Sequence, residues 1–108
     1  MKTLTKAPMK HRMTYSEEAL GHLGRLSDFL VRQVGVEKAQ VIIDELLDKL
    51  CTLEEMPYLG HEHPDALLAG RGYRAYKAGR YVAVYLVTES GVWIAGVYHT
   101  KTDWLTTP

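Results

Sequence analysis

The side chains of this chain best suited to chemistry gather towards its C-terminal end. The stretch GYRAYKAGRYVAVYLVTESGVWIAGVYHTKTDW, residues 72–104, carries Arg74, Lys77 and Arg80, follows Arg71, and closes on Tyr98 and His99. Cations can stabilise charge developing on a reacting group, and a tyrosine or histidine beside them can transfer a proton. Arg74, Arg80, Tyr98 and His99 are therefore the candidates for an acid–base set with cationic support. Strand alternation divides them, because Tyr98 falls on the face of Arg74 and His99 on that of Lys77 and Arg80. No convergent acid–base pair follows.

Other motifs are weaker. His61-Glu62-His63 with Asp65 offers at most two zinc ligands from a proline-containing loop, where three or four must converge, so neither metal nor cofactor is expected. Cys51 has no neighbouring histidine and is expected in the core. GRG at 70–72 leads into a strand rather than a helix, unlike a phosphate-binding loop.

The elements that position these residues follow from periodicity. Residues 1–8 read as a loose tail and 9–108 as one domain. Met9, His11, Met13 and Tyr15 alternate with polar residues and predict a short strand. Ser16 is a helix cap, and Leu20, Leu23, Leu26 and Leu30 share one helical face up to Gly35. A second helix, about 36–55, carries Ala39, Ile42, Ile43, Leu46, Leu47, Leu50 and Leu53. A glycine-centred turn makes the two an antiparallel hairpin. Pro57 ends it, and MPYLGHEHPD is read as a loop. Strands at about 73–77, 80–87 and 92–98 complete an α+β domain, β-α-α-β-β-β, with the helices on one face of an antiparallel meander.

A two-residue turn at Ala78-Gly79 puts Tyr73, Ala75, Val82, Val84 and Leu86 on one face of this meander. Arg74, Tyr76, Tyr81, Ala83, Tyr85 and Val87 then share the other. Both faces are apolar or aromatic, and one hairpin covers one face. The helices are expected over Val82, Val84 and Leu86. That leaves Arg71, Arg74, Tyr76, Tyr81 and Tyr85 as an open partner-binding patch, with Trp104 and Leu105 as a further anchor for a partner.

Net charge is zero but uneven: +4 over residues 1–15, −7 over 16–66 and +3 over 67–108. Two surfaces of opposite sign suggest an acidic partner for one of them. The opening MKTLTKAP lacks the apolar run of a signal peptide, no stretch is long and apolar enough to span a bilayer, and the lone cysteine suits a reducing compartment. A cytoplasmic protein without membrane association is expected.

The order of elements, together with YSEEALGHL, MPYLG, GYRAYKAGRYVAVYLV and VWIAGVYHTKTDW, resembles the RelE/ParE superfamily of type II toxin–antitoxin toxins, in its ParE branch. The resemblance spans about residues 9–104. It implies a toxin of a plasmid-stabilisation module, held as a hetero-oligomer by an antitoxin whose C-terminal segment wraps it. For the ParE branch it also implies poisoning of DNA gyrase. The alternatives are a ribosome-dependent messenger-RNA endonuclease, in which Arg74, Arg80, Tyr98 and His99 would stabilise the phosphorane and take the 2′-hydroxyl proton, or an orphan that binds only antitoxin. Arg80-Tyr81 stands where a serine-histidine pair is frequent, and many relatives are more basic.

Overall fold

The computed structural model describes residues 12–102 and 104. Eight elements follow in order: β1 (Arg12–Tyr15), α1 (Glu17–Val34), α2 (Val36–Glu55), β2 (His61–Glu62), α3 (Ala66–Gly70), β3 (Arg74–Ala78), β4 (Tyr81–Thr88) and β5 (Gly91–His99). The fold is α+β. Its sheet has the order β1-β5-β4-β3-β2, with β1 parallel to β5 and every other pair antiparallel.

Ser16 joins helix to sheet. Its hydroxyl accepts the Ala19 N–H at 2.9 Å and donates to the Ala95 carbonyl at 2.7 Å. The cap and the docking of α1 on β5 are thus one interaction. Gly35, at φ 89°, ends α1 and starts α2, a backbone conformation that side chains with a Cβ resist.

The hairpin packs through Ala19, Leu46, Leu50 and Leu53 onto Ala78, Ala83, Tyr85, Val92, Ile94 and Val97. Burying each Leu or Ile here contributes roughly 1.5–3 kcal/mol. Two residues expected inside are outside: Leu20 is 56% exposed, with Ala19 buried in its place, and Cys51 is exposed.

The faces of β3 and β4 are grouped as alternation requires, but the helices lie on the opposite face from the one expected. They cover Tyr76, Tyr81, Ala83, Tyr85 and Val87. Ala75, Val82 and Val84 lie on the other side under Trp104, with Tyr73 and Tyr98 at the margin. Alternation fixes which residues share a face; with both faces apolar, it does not choose the one to be covered. The tyrosine face suits the helices because Ala78 and Ala83 leave room for them. Tyr85, meanwhile, reaches past the end of α2 to polar partners.

Two local features also depart from expectation. The β3–β4 turn is Gly79-Arg80, with Ala78 opposite Tyr81, a shift of two positions that leaves the faces unchanged. In β5, Val84 pairs with Gly96 but Tyr85 with Ile94, so Ala95 is an extra residue in a bulge. Beyond the bulge the faces exchange: Val97 and His99 turn to the helix side, and Gly96 and Tyr98 to the other. The segment read as a loop contains β2, and Asp65 caps the short α3 through the Leu68 N–H. Residues 9–11 of the first expected strand, and the loose tail, lie outside the described residues.

Candidate functional site

Arg74 and Tyr85 sit opposite each other on β3 and β4, and both reach the segment after α2. Arg74 Nη2 donates to the carbonyls of Tyr58 and Gly60, and its guanidinium lies 5.1 Å from the centre of the Tyr58 ring. The Tyr85 hydroxyl donates to the Pro57 carbonyl at 2.7 Å and accepts the Gly60 N–H at 3.1 Å. Tyr85 is 0% exposed. Neither residue belongs to an open patch; together they brace the loop that displays Met56 and Tyr58 to solvent.

Tyr76 and Tyr81 are half-buried against the helices, so the expected open tyrosine face is closed. What remains open is a groove along its margin. One part, about 540 Å³, lies between the hairpin and the β3–β4 turn, among Phe29, Val34, Ile42, Lys49, Arg80 and Tyr81. The second part, about 580 Å³, shares Phe29 and Tyr81 and continues to His22, Arg25, Tyr98 and His99. Phe29 is 50% exposed and Val34 41%, and both line the groove together with the buried Leu30 and Leu46.

The second cleft is built from three elements. His22 of α1 accepts the Val97 N–H through Nδ1 at 3.2 Å, closing the edge of β5 beyond the end of β1. Its ring lies 4.7 Å from that of Tyr98. Tyr98 lies across Gly96, where a Cβ would come within 2.7 Å of its ring. His99 accepts the Lys101 N–H at 3.1 Å, also through Nδ1, and meets Tyr81 edge-on at 5.6 Å. Each imidazole is therefore held with its proton on Nε2, as a donor. Burial lowers the pKa of His22, the neighbouring Arg25 lowers it further, and Glu18 opposes them.

The remaining residues are dispersed. Arg71 is exposed at the end of α3. Arg80 is exposed in the turn, its carbonyl accepting the Thr100 N–H at 2.9 Å. Arg74 and His99 flank β4 at Tyr85 and Tyr81, roughly 13 Å apart along the strand. The bulge places His99 with Arg74's face and Tyr98 with the other, the reverse of the expected pairing. Trp104 is 7% exposed and packs on Ala75, Val82 and Val84, with its ring edge-on to His63 at 5.4 Å. Leu105 lies outside the described residues. His63 is itself buried and accepts the Asp65 N–H through Nδ1, while His61 is exposed. Sequence reasoning missed His22, Arg25 and Phe29. Their spacing of three, four and seven along α1 puts them on one helical stripe, a signal open to view beside Leu26.

Residues 13–104 match the family described as "ParE toxin of type II toxin-antitoxin system, parDE". The chain belongs to the ParE toxin family. Its fold is similar to that in the "chromosomal ParDE TA system" of P. aeruginosa, with a TM-score of 0.71 and 17% identity over 87% of this chain and 100% of that one. The toxin–antitoxin complex RelBE2 of Mycobacterium tuberculosis is also similar, at a TM-score of 0.56 and 21% identity over 83% of this chain and 98% of that one. At these identities the likeness to both concerns the fold. No curated protein sequence matches the chain. Among the described residues of this ParE-family toxin, no helix is long and apolar enough to cross a membrane.

Proposed function

We propose that this toxin arrests growth by binding DNA gyrase, and that a cognate antitoxin neutralises it by laying an apolar segment into the groove beside Phe29 and Tyr81. The dispersal of Arg74, Arg80, Tyr98 and His99 carries the choice of a binding toxin over a nuclease. Arg74 is engaged by two backbone carbonyls, and His99 is held as a donor rather than as a base. Proton transfer needs the base within hydrogen-bond reach of its substrate, beside the cations that stabilise the developing charge. The gyrase assignment follows from the ParE branch, and the antitoxin from the toxin–antitoxin family.

The groove supports the second half of the reading. Its part between the hairpin and the β3–β4 turn is predominantly apolar, and among the described residues that line it Lys49 and Arg80 stand against one acid, Glu45. That balance favours an apolar segment carrying acids. A nuclease loses about 10²–10⁴-fold in rate without its proton-transfer group, whereas a binding toxin loses one contact. The Tyr98→Phe, His99→Gln double variant is expected to stay toxic. Purified protein is expected to inhibit gyrase supercoiling and leave messenger RNA on ribosomes intact. Codon-positioned cleavage that disappears in the double variant would refute the gyrase reading.

A further inference from the structure

The cleft around His22, Arg25 and His99 has a composition the rest of the groove lacks. Two imidazoles have their Nδ1 atoms engaged by main-chain N–H groups, of Val97 and Lys101, which leaves an Nε2–H donor on each. Arg25, exposed on α1, brings a guanidinium to the same cleft. Among the described residues that line it there is no Asp or Glu. The walls between the donors are aromatic: Phe29, Tyr81 and Tyr98.

We propose that this cleft is the anchor point for one carboxylate of the antitoxin segment, held by Arg25 and the two Nε2–H groups with a neighbouring apolar side chain against Phe29 and Tyr81. The inference rests on the antitoxin reading of the groove and adds the chemistry of its end. The two imidazole donors are oriented before binding and lose little freedom on it, and a charge-assisted hydrogen bond is about twice as strong as a neutral one. The cleft runs on from the apolar part through Phe29 and Tyr81, so one continuous segment reaches both. An acidic peptide is favoured over a nucleotide by that continuity, since the neighbouring part offers an apolar trough rather than a cationic track.

The test is calorimetry of the full chain with the protein encoded by the adjoining reading frame. Arg25→Gln changes an exposed helical position and leaves the fold intact; His99→Phe keeps a ring against Tyr81. Each is expected to weaken the complex by about tenfold to a hundredfold, the range for a hydrogen bond to a charged group. One Asp or Glu of the partner, changed to its amide, is expected to lose the same factor and to add nothing in combination with Arg25→Gln. Phe29→Arg reports on the groove itself. If it abolishes binding while the Arg25, His99 and partner-amide variants are silent, the anchor is wrong and the groove stands. If Phe29→Arg is silent too, or no complex forms, both readings fall. Adenosine 5′-monophosphate is the second probe. Saturable shifts of the His22 and His99 imidazole signals with this nucleotide, at concentrations where an acidic peptide from the partner moves neither, would make the cleft a nucleotide site and overturn the proposal.

Discussion

The Tyr85 hydroxyl lies directly over Gly60. A Cβ on residue 60 would stand 2.7 Å from that oxygen and 2.6 Å from the Ala75 carbonyl. The hydroxyl bonds to Pro57 and Gly60, so the glycine is what lets a buried tyrosine fasten the end of α2 to the sheet. Tyr85→Phe strands two main-chain groups without a partner, and each buried unmade bond costs about 1–3 kcal/mol. Urea denaturation is expected to show a loss of about 2–6 kcal/mol for the two together. Gly60→Ala, which presses on backbone, is expected to cost more than Tyr85→Phe. Equal or smaller loss would mean that the loop moves aside freely.

Arg74 braces the same loop from the neighbouring strand. Arg74→Lys keeps the charge but loses the planar guanidinium whose Nη2 donates to both carbonyls while its face lies over Tyr58. The variant is expected to remain folded while chymotrypsin cuts after Tyr58 faster than in the parent chain. An unchanged cutting rate would assign the brace to Tyr85 alone.

Trp104 covers Ala75, Val82 and Val84, with Tyr73 and Tyr98 packed at the margin. Deleting a buried tryptophan costs about 3–5 kcal/mol. Trp104→Ala, or truncation after Asp103, is expected to lower the melting temperature by more than 10 °C, since 1 kcal/mol corresponds to about 4–8 °C in a domain this small. A melting temperature within 2 or so degrees of the parent, at roughly the noise of that relation, would return Trp104 to the role of an outward anchor.

His22 gives stability a pH dependence. Its pKa in the folded chain is lowered, chiefly by burial and then by Arg25, with Glu18 pulling the other way; Tyr98 and His99 of β5 and Tyr81 of β4 complete its surroundings. The unfolded histidine binds a proton near its ordinary value of about 6.5. Above that value both states are neutral and this stabilisation is complete. As pH falls below it, the unfolded chain takes up more protons and stability declines. The urea midpoint is expected to fall between about pH 7.5 and 5, and His22→Gln, whose amide oxygen can still accept from Val97, is expected to flatten the decline. A slope unchanged by the substitution would place the titration elsewhere.

Local patterns carried most of the fold. Ser16, Gly35 and the leucine spacing of α2 delimit the hairpin, and alternation groups β3 and β4 correctly even with the turn displaced to Gly79-Arg80. Two decisions had no local signal. Tyr85 and Val84 are equally apolar in pattern, so the covered face depended on the reach of a hydroxyl to main-chain groups at Pro57 and Gly60. The bulge at Ala95 arises where Ser16 Oγ–H and N–H take the carbonyls of Ala95 and Ile94, a long-range event that reverses Tyr98 and His99. The site suffered accordingly. Arg74, Tyr76 and Tyr85 became supports, and His22, Arg25 and Phe29, passed over on a helix, came to line the open cleft.

β1 pairs with a strand made long after it. Arg12–Tyr15 lies along Gly91–Ile94, and Ser16 meets Ala95 across 79 positions of chain. At a synthesis rate of about 5–20 residues per second, β1 waits roughly 4–16 s for its neighbour to exist. Until then the leucines of the hairpin have no sheet to cover, and the groove has only its helical wall. The growing polypeptide therefore has no assembled surface with which to do harm. It acquires one only once β5 has been made and pairs with β1.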